Sequence, residues 1–264
     1  MTTPTCSKFP SIDQFRNTVK NIRNQCSYDG IDEEGKAKFK RVDNFPTLDF
    51  FGTVKAHGTN AAIRHDSETS DILFQSRERI ITPLDDNAGF ATHFHTRQQY
   101  VRDLLDGYRA VFGTPNDPVI IYGEWCGGNI QKGVALAELP KMFIIFAIRI
   151  GIDENTTWIR GDNVDFDVPF VPSDPSVRLI TEFPTYRLTV DLNNPEYAQN
   201  KLVELTDEVE QECPIGKTFF SPLNGALVSF INNEIVSDVY LPPSIRNNLK
   251  SVMSTENNSI TLSF

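Results

Sequence analysis

The sequence predicts one α+β domain, and three observations carry that prediction. Two amphipathic helical stretches, near Ser11–Gln25 and Pro195–Glu212, bracket a series of strand-like runs. Val119–Tyr122 and Met142–Ile150 are continuous apolar runs, the composition of strands buried on both faces. Helices and strands are interleaved, with no internal repeat and no clear linker.

Taken in order, Ile12, Phe15, Val19 and Ile22 recur on one face of the first helix, and Ser11 with Gln14 forms a capping-box pattern at its start. Residues 27–36 are polar, with Gly30 and Gly35, and read as a loop. Strand-like runs follow at 48–55, 60–64 and 71–77. Residues 90–112 read as one helix, stopped by Gly113-Thr114-Pro115. Residues 161–187 are rich in Asp and Pro and read as irregular. Leu202, Leu205 and Val209 give the late helix an inward face. Beyond Cys213 the pattern weakens: Val228–Phe230 and Ile235–Tyr240 read as strands, and 247–264 as a polar, disordered end.

The chain has 264 residues, of which 39% are hydrophobic and 23% charged, as in ordinary globular proteins. No apolar run is long enough for a membrane-spanning helix. The start, Met1-Thr2-Thr3-Pro4, lacks the basic and apolar regions of a secretory signal. Cys6, Cys26, Cys126 and Cys213 are scattered, which predicts reduced thiols, no zinc site and an intracellular, by default cytoplasmic, location. The net charge of −10 is unevenly spread. Residues 1–150 hold 18 basic and 18 acidic side chains, and residues 151–264 hold 7 and 17. A nucleic-acid partner would therefore be expected on the first part, for instance at Lys36, Lys38, Lys40 and Arg41, which also fit a solvated loop.

The chemistry-bearing residues come in sequence order. Lys55-Ala56-His57-Gly58-Thr59-Asn60 joins two strand-like runs. A lysine amine is nucleophilic when neutral, a state that burial favours, and Phe50, Phe51 and Val54 suggest an apolar wall for its stem. Gly58 would allow a tight approach of backbone to phosphate, with His57 and Asn60 as hydrogen-bond donors. Arg77 ends a strand, where a guanidinium can hold phosphate bidentately, with Arg79 as an assistant. Glu124 ends an apolar strand and can accept from ribose hydroxyls or help hold Mg²⁺. Phe146, inside an apolar strand, can stack on a purine. Each residue taken singly also fits a structural role: a surface lysine, a strand-end ion pair, a glutamate in a Gly-rich turn, a core ring. His93 and His95 do not share a helix face and receive no role.

In this order and spacing, and with Gly127-Gly128-Asn129-Ile130-Gln131-Lys132-Gly133-Val134 after the glutamate, the chain resembles the ATP-dependent RNA ligases of the phage RNA ligase 2 type. The resemblance covers residues 45–150 well and extends loosely to about residue 218. It implies a nucleotidyltransferase domain, with mixed antiparallel sheets and flanking helices, over residues 1–220. It implies that Lys55 is adenylylated, that His57, Gly58, Asn60 and Arg77 contact the nucleotide, that Glu124 serves ribose or metal, and that Phe146 stacks on adenine. ATP and Mg²⁺ would be the cofactors, and RNA with 5′-phosphate and 3′-hydroxyl ends the partner. DNA ligases and capping guanylyltransferases usually carry Asp where this chain has His57, and rank lower.

Two elements of that family are missing. The nearest counterpart of its Glu-Gly-hydrophobic-Val strand is Asn224-Gly225-Ala226-Leu227-Val228, with Gly225 in place of the glutamate. No Lys-x-Lys follows residue 150. Residues 221–264 therefore read as a divergent tail, truncated or partly disordered. The alternatives are a catalytically impaired homologue that binds nucleotide or RNA without ligating, and a partner chain that supplies the missing groups.

Overall fold

The structure is a computed structural model and describes residues 5–65, 71–151, 156–169, 174–220, 226–229, 234–237 and 259–263. It is α+β, with mainly antiparallel sheets and helices on their outer faces. The helices are α1 (Phe15–Ser27), α2 (Phe90–His95), α3 (Gln98–Phe112), α4 (Pro195–Gln211) and α5 (Pro214–Phe220).

The larger sheet has seven strands. They are β4 (Gly58–His65), β5 (Ile72–Ser76), β6 (Ile80–Ile81), β7 (Val119–Cys126), β8 (Met142–Ile150), β9 (Thr157–Arg160) and β10 (Val177–Leu179). Their order is β10-β8-β7-β4-β5-β6, and β9 pairs with the far half of β8. Every pairing is antiparallel except that of β10 with β8. A three-stranded sheet sets β3 (Thr47–Lys55) between β11 (Thr185–Asp191) and β14 (Ser259–Ser263). Two hairpins complete the set, β1 (Tyr28–Ile31) with β2 (Ala37–Phe39), and β12 (Ala226–Ser229) with β13 (Glu234–Ser237).

Side chains alternate across a strand, so the larger sheet sorts its residues onto two faces. Ile63, Phe74, Ile121, Trp125 and Phe143 point to one face, where α2 and α3 cover them with Phe90, Phe94, Val101, Leu104 and Leu105. Phe90 is the hub: its ring centroid lies 5.0 Å from those of Phe94 and Phe143, 5.6 Å from Trp125 and 6.2 Å from Phe74. The smaller sheet buries Phe50, Leu188 and Val190 against Val19 of α1 and Ala198 of α4.

Several expectations need correction. The first helix begins at Phe15 rather than Ser11; Gln14 is its cap residue and makes no side-chain capping bond. The stretch 27–36 contains β1. Residues 90–112 form two helices, parted at Thr96-Arg97. The stretch 161–187 contains β10 and the start of β11. Within 247–264, Ser259–Ser263 forms a strand on β3, although that stretch read as disordered. Asn224, Gly225, Phe230 and residues 238–240 lie outside the described residues.

Candidate active site

The chain passes from the smaller sheet to the larger one between Lys55, the last residue of β3, and Gly58, the first of β4. This crossing fixes Lys55 at the seam between the sheets. Val54 is 2% exposed in the core, so alternation turns Lys55 to the opposite side, where it is exposed. The apolar wall expected around its stem is not found. Across the ladder from Lys55 stands Ser259 of β14.

Glycine at position 58 is required by a close backbone contact. A Cβ there would lie 2.2 Å from the Trp125 carbonyl oxygen and 2.7 Å from the Cys126 Cβ. This tight approach is to β7. That approach also brings the Gly58 N–H to the Glu124 carboxylate, to which it donates at 3.0 Å. The neighbouring Thr59 hydroxyl accepts from the Asn87 amide at 2.9 Å, which ties the loop before α2 to the same strand.

Glu124 is directly opposite Asn60 on β4 and Ile144 on β8. These residues share the face away from α2 and α3. Burial pushes the Glu124 carboxyl up from its ordinary 4.5 to about 7. The Gly58 N–H, the Lys55 ammonium and the Arg77 guanidinium pull the other way, in that order of strength. The structure therefore brings Lys55, Gly58, Asn60, Arg77 and Glu124 to one locality, although they lie up to 69 positions apart.

Arg77 follows the last residue of β5 and is exposed, with its Nε 3.8 Å from the Glu78 carboxylate. Arg79, expected as its assistant, is engaged with Asp85 in this structure. Its guanidinium is ion-paired with Asp85 and donates to the Asp85 carbonyl at 3.2 Å, so it closes the local turn. His57 is half-buried in the crossing.

Phe146 is placed by an irregularity. Tyr122 pairs with Ala147 and Gly123 with Ile145, so Phe146 is the extra residue of a β-bulge. It is partly buried and packs at the border of two apolar clusters. Trp125 and Cys126 are fully buried and belong to the core. His93 faces Trp125 and hydrogen-bonds to Ser176 at 2.8 Å, whereas His95 is exposed.

Sequence reasoning assigned nothing to Thr5–Phe9, which lies on the site's face of the larger sheet. Phe9 contacts Phe146, Tyr122 and Trp158, and Ser7 exchanges hydrogen bonds with the Gln75 side chain. No local pattern in Cys6-Ser7-Lys8-Phe9 announces this, because the partners of Ser7 and Phe9 are 68 or more residues away.

The sequence profile of the RNA ligase family matches residues 48–206, more than half of the chain. The chain belongs to the RNA ligase family. The matched span includes every predicted site residue from Lys55 to Phe146 in this family member. No curated protein matches it. Among solved structures, one named Pmar-Lig_Pre is similar at 12% identity and a TM-score of 0.34. That match covers 61% of this chain and 35% of the other, so this RNA ligase family member spans only part of that protein's length.

The basic cluster at Lys36, Lys38 and Arg41 sits on and beside the β1–β2 hairpin. Glu34, Asp29 and Asp43 approach these three cations at 2.8, 3.6 and 3.0 Å. Such exposed pairs contribute little to stability. No described helix is long and apolar enough to cross a membrane.

Proposed function

We infer that the chain is an ATP-dependent RNA ligase that works through Lys55. One observation carries the reading: the half-buried Glu124 carboxyl, which accepts from the Gly58 N–H at 3.0 Å and is raised to about 7 by desolvation, lies under the joint influence of an exposed lysine and an exposed arginine at the seam of two sheets. A desolvated carboxyl with specific charge partners is characteristic of functional sites, and the two exposed cations are accessible to polyphosphate.

In the first step the neutral Lys55 Nζ attacks the α-phosphorus of ATP. The N–P bond forms, the bond to the β-phosphate oxygen breaks, and pyrophosphate leaves. The exposed amine loses its proton to solvent. In the second step an RNA 5′-phosphate oxygen attacks the same phosphorus, and the N–P bond breaks. In the third a 3′-hydroxyl attacks the activated 5′-phosphorus and expels AMP. Such transfers depend mostly on in-line positioning and charge stabilisation. Arg77 is the charge stabiliser on phosphate, Glu124 and Asn60 the polar pair for ribose or for waters around a metal, His57 a further donor, and Phe146 the ring for adenine.

Mg²⁺, when bound, offsets phosphate charge. Glu124 would hold it as a single carboxylate, a donor of the oxygen type that Mg²⁺ takes. Among the described residues no group of three His, Cys, Asp or Glu side chains gathers to hold a metal.

A second reading has its own observation. The described strand beside Lys55, Ser259-Ile260-Thr261-Leu262-Ser263, contains no basic residue, and no Lys-x-Lys follows residue 150. Loss of one transition-state donor costs on the order of a hundredfold or more in other enzymes. An impaired homologue that binds nucleotide or RNA without joining ends would have this composition, as would a chain completed by a partner.

The test is incubation with α-labelled ATP and Mg²⁺. A covalent AMP adduct that disappears in Lys55→Ala supports the ligase reading, and end joining on nicked and single-stranded RNA follows. A folded protein that forms no adduct leaves the binding reading.

A further inference from the structure

We propose that Cys6–Phe9 is a positioning strap for the nucleotide site, with Phe9 as the residue that sets the Phe146 ring. The proposal rests on the ligase reading above, in which Phe146 stacks on adenine and Arg77 meets phosphate.

The strap touches both of these residues or their immediate supports. At one end the Cys6 thiol approaches the carbonyl oxygens of Ser76 and Arg77, at 3.6 and 3.8 Å. Lys8 ion-pairs with Glu78, whose other oxygen faces Arg77. Ser7 forms a paired bond with Gln75, its N–H donating to the side-chain oxygen at 3.2 Å and its carbonyl accepting from the side-chain amide. Gln75 is only 2% exposed, so this exchange is its route to satisfying a buried amide. At the centre the Tyr122 hydroxyl lies 3.2 Å from the Ser7 carbonyl and hydroxyl, and Arg149 donates to that hydroxyl at 3.0 Å. At the other end the Phe9 ring meets Phe146 edge-on, with centroids 5.0 Å apart and planes at 74°. Tyr122 and Trp158 hold Phe9 from two further sides, at 5.4 and 5.6 Å.

The bulge makes this bracing necessary. An ordinary strand residue has its direction set by the ladder, but Phe146 is the unpaired extra residue, so what packs against it decides where its ring points. Arg77 lies past the end of β5, and the strap holds the backbone there. A four-residue segment thus ties together two site residues that stand 69 positions apart.

The test measures Lys55-dependent AMP adduct formation against ATP concentration, in the full chain, for wild type, Phe9→Ala, Phe9→Leu and Phe9→Tyr. Phe9→Ala is expected to raise the half-saturating ATP concentration about tenfold and to leave the rate at saturation within about twofold. Phe9→Tyr is expected to restore it, since the edge contact survives. Phe9→Leu keeps the bulk without the ring and should resemble Phe9→Ala, which keeps the test open if the alanine variant fails to fold. Half-saturation unchanged in both Phe9→Ala and Phe9→Leu overturns the proposal. So does a loss confined to the saturated rate and matched by a lower Tm, because that is general packing. If the wild type makes no adduct, the ligase reading fails and the strap proposal with it. If the wild type makes the adduct and the variants match it at low ATP, the strap proposal alone fails.

Discussion

The two faces of the larger sheet use the same strands for opposite ends. Towards α2 and α3 the strands present Ile63, Phe74, Ile121, Trp125 and Phe143, none more than 4% exposed, and two helices supply large apolar partners. Away from them the same strands present Asn60, Gln75, Tyr122 and Glu124, and the cover at Gln75 and Tyr122 is an irregular strap with Ser7 and Phe9. A helix can bring apolar bulk but has no spare backbone groups. An extended strap has both N–H and C=O free to satisfy buried polar side chains. One face can therefore be dry and stable, while the other carries polar chemistry at the expense of local stability.

Substitutions should separate the two faces. The largest stability effect belongs to the dry one. Phe90→Ala removes a fully buried ring that meets four others, and is expected to destabilise the fold by about 3–5 kcal/mol. Denaturant unfolding reads the loss, and molecules that remain folded should still form the Lys55 adduct. An adduct lost in proportion to more than the unfolded fraction would mean that the faces are not independent.

The polar face should respond with the opposite sign. Glu124 holds its proton more tightly folded than unfolded, because burial raises it from 4.5 to about 7. Its destabilising contribution is therefore absent below about pH 4.5, grows as pH rises towards 7, and is complete above that. Glu124→Gln should stabilise the free protein at pH 8 by an amount on the order of 3 kcal/mol at most, with the gain vanishing near pH 4. Activity should fall in the same variant. Thermal unfolding of both proteins across that pH range decides the point, and a variant less stable than wild type at pH 8 would show that Glu124 serves the fold.

What could be read from the sequence divides along the same line. The strands β3, β4, β5, β7 and β8 are visible because apolar residues repeat along them, and Lys55, Arg77 and Glu124 stand out because each lies at or near the end of one of them. The strand β11 was hidden at the edge of an Asp- and Pro-rich stretch, although Leu188 and Val190 alternate inward between Arg187, Thr189 and Asp191. The break at Thr96-Arg97 carries no Gly or Pro to mark it. The bulge at Phe146 depends on register between β7 and β8, and the strap on contacts across 68 or more residues; neither leaves a local pattern. The close contact of Gly58 with β7 has no local pattern either, since only the paired strands reveal it.

The smallest effects come from two arginines, two positions apart, that the sequence treated alike. Arg79 closes a turn through Asp85, and its exposed ion pair should contribute less than about 1 kcal/mol. Arg79→Ala is thus expected to lower Tm slightly and to leave adduct formation near that of wild type. Arg77 is exposed and acts electrostatically on Glu124, so Arg77→Ala should leave Tm within error and still reduce adduct formation at low ATP. Measured side by side, the pair asks whether the chemistry follows the position of a guanidinium on the polar face or merely the positive charge near it. Equal losses in both variants would favour charge alone and would remove Arg77 from the site. A loss confined to Arg77→Ala would tie function to the row that Arg77 shares with Glu124.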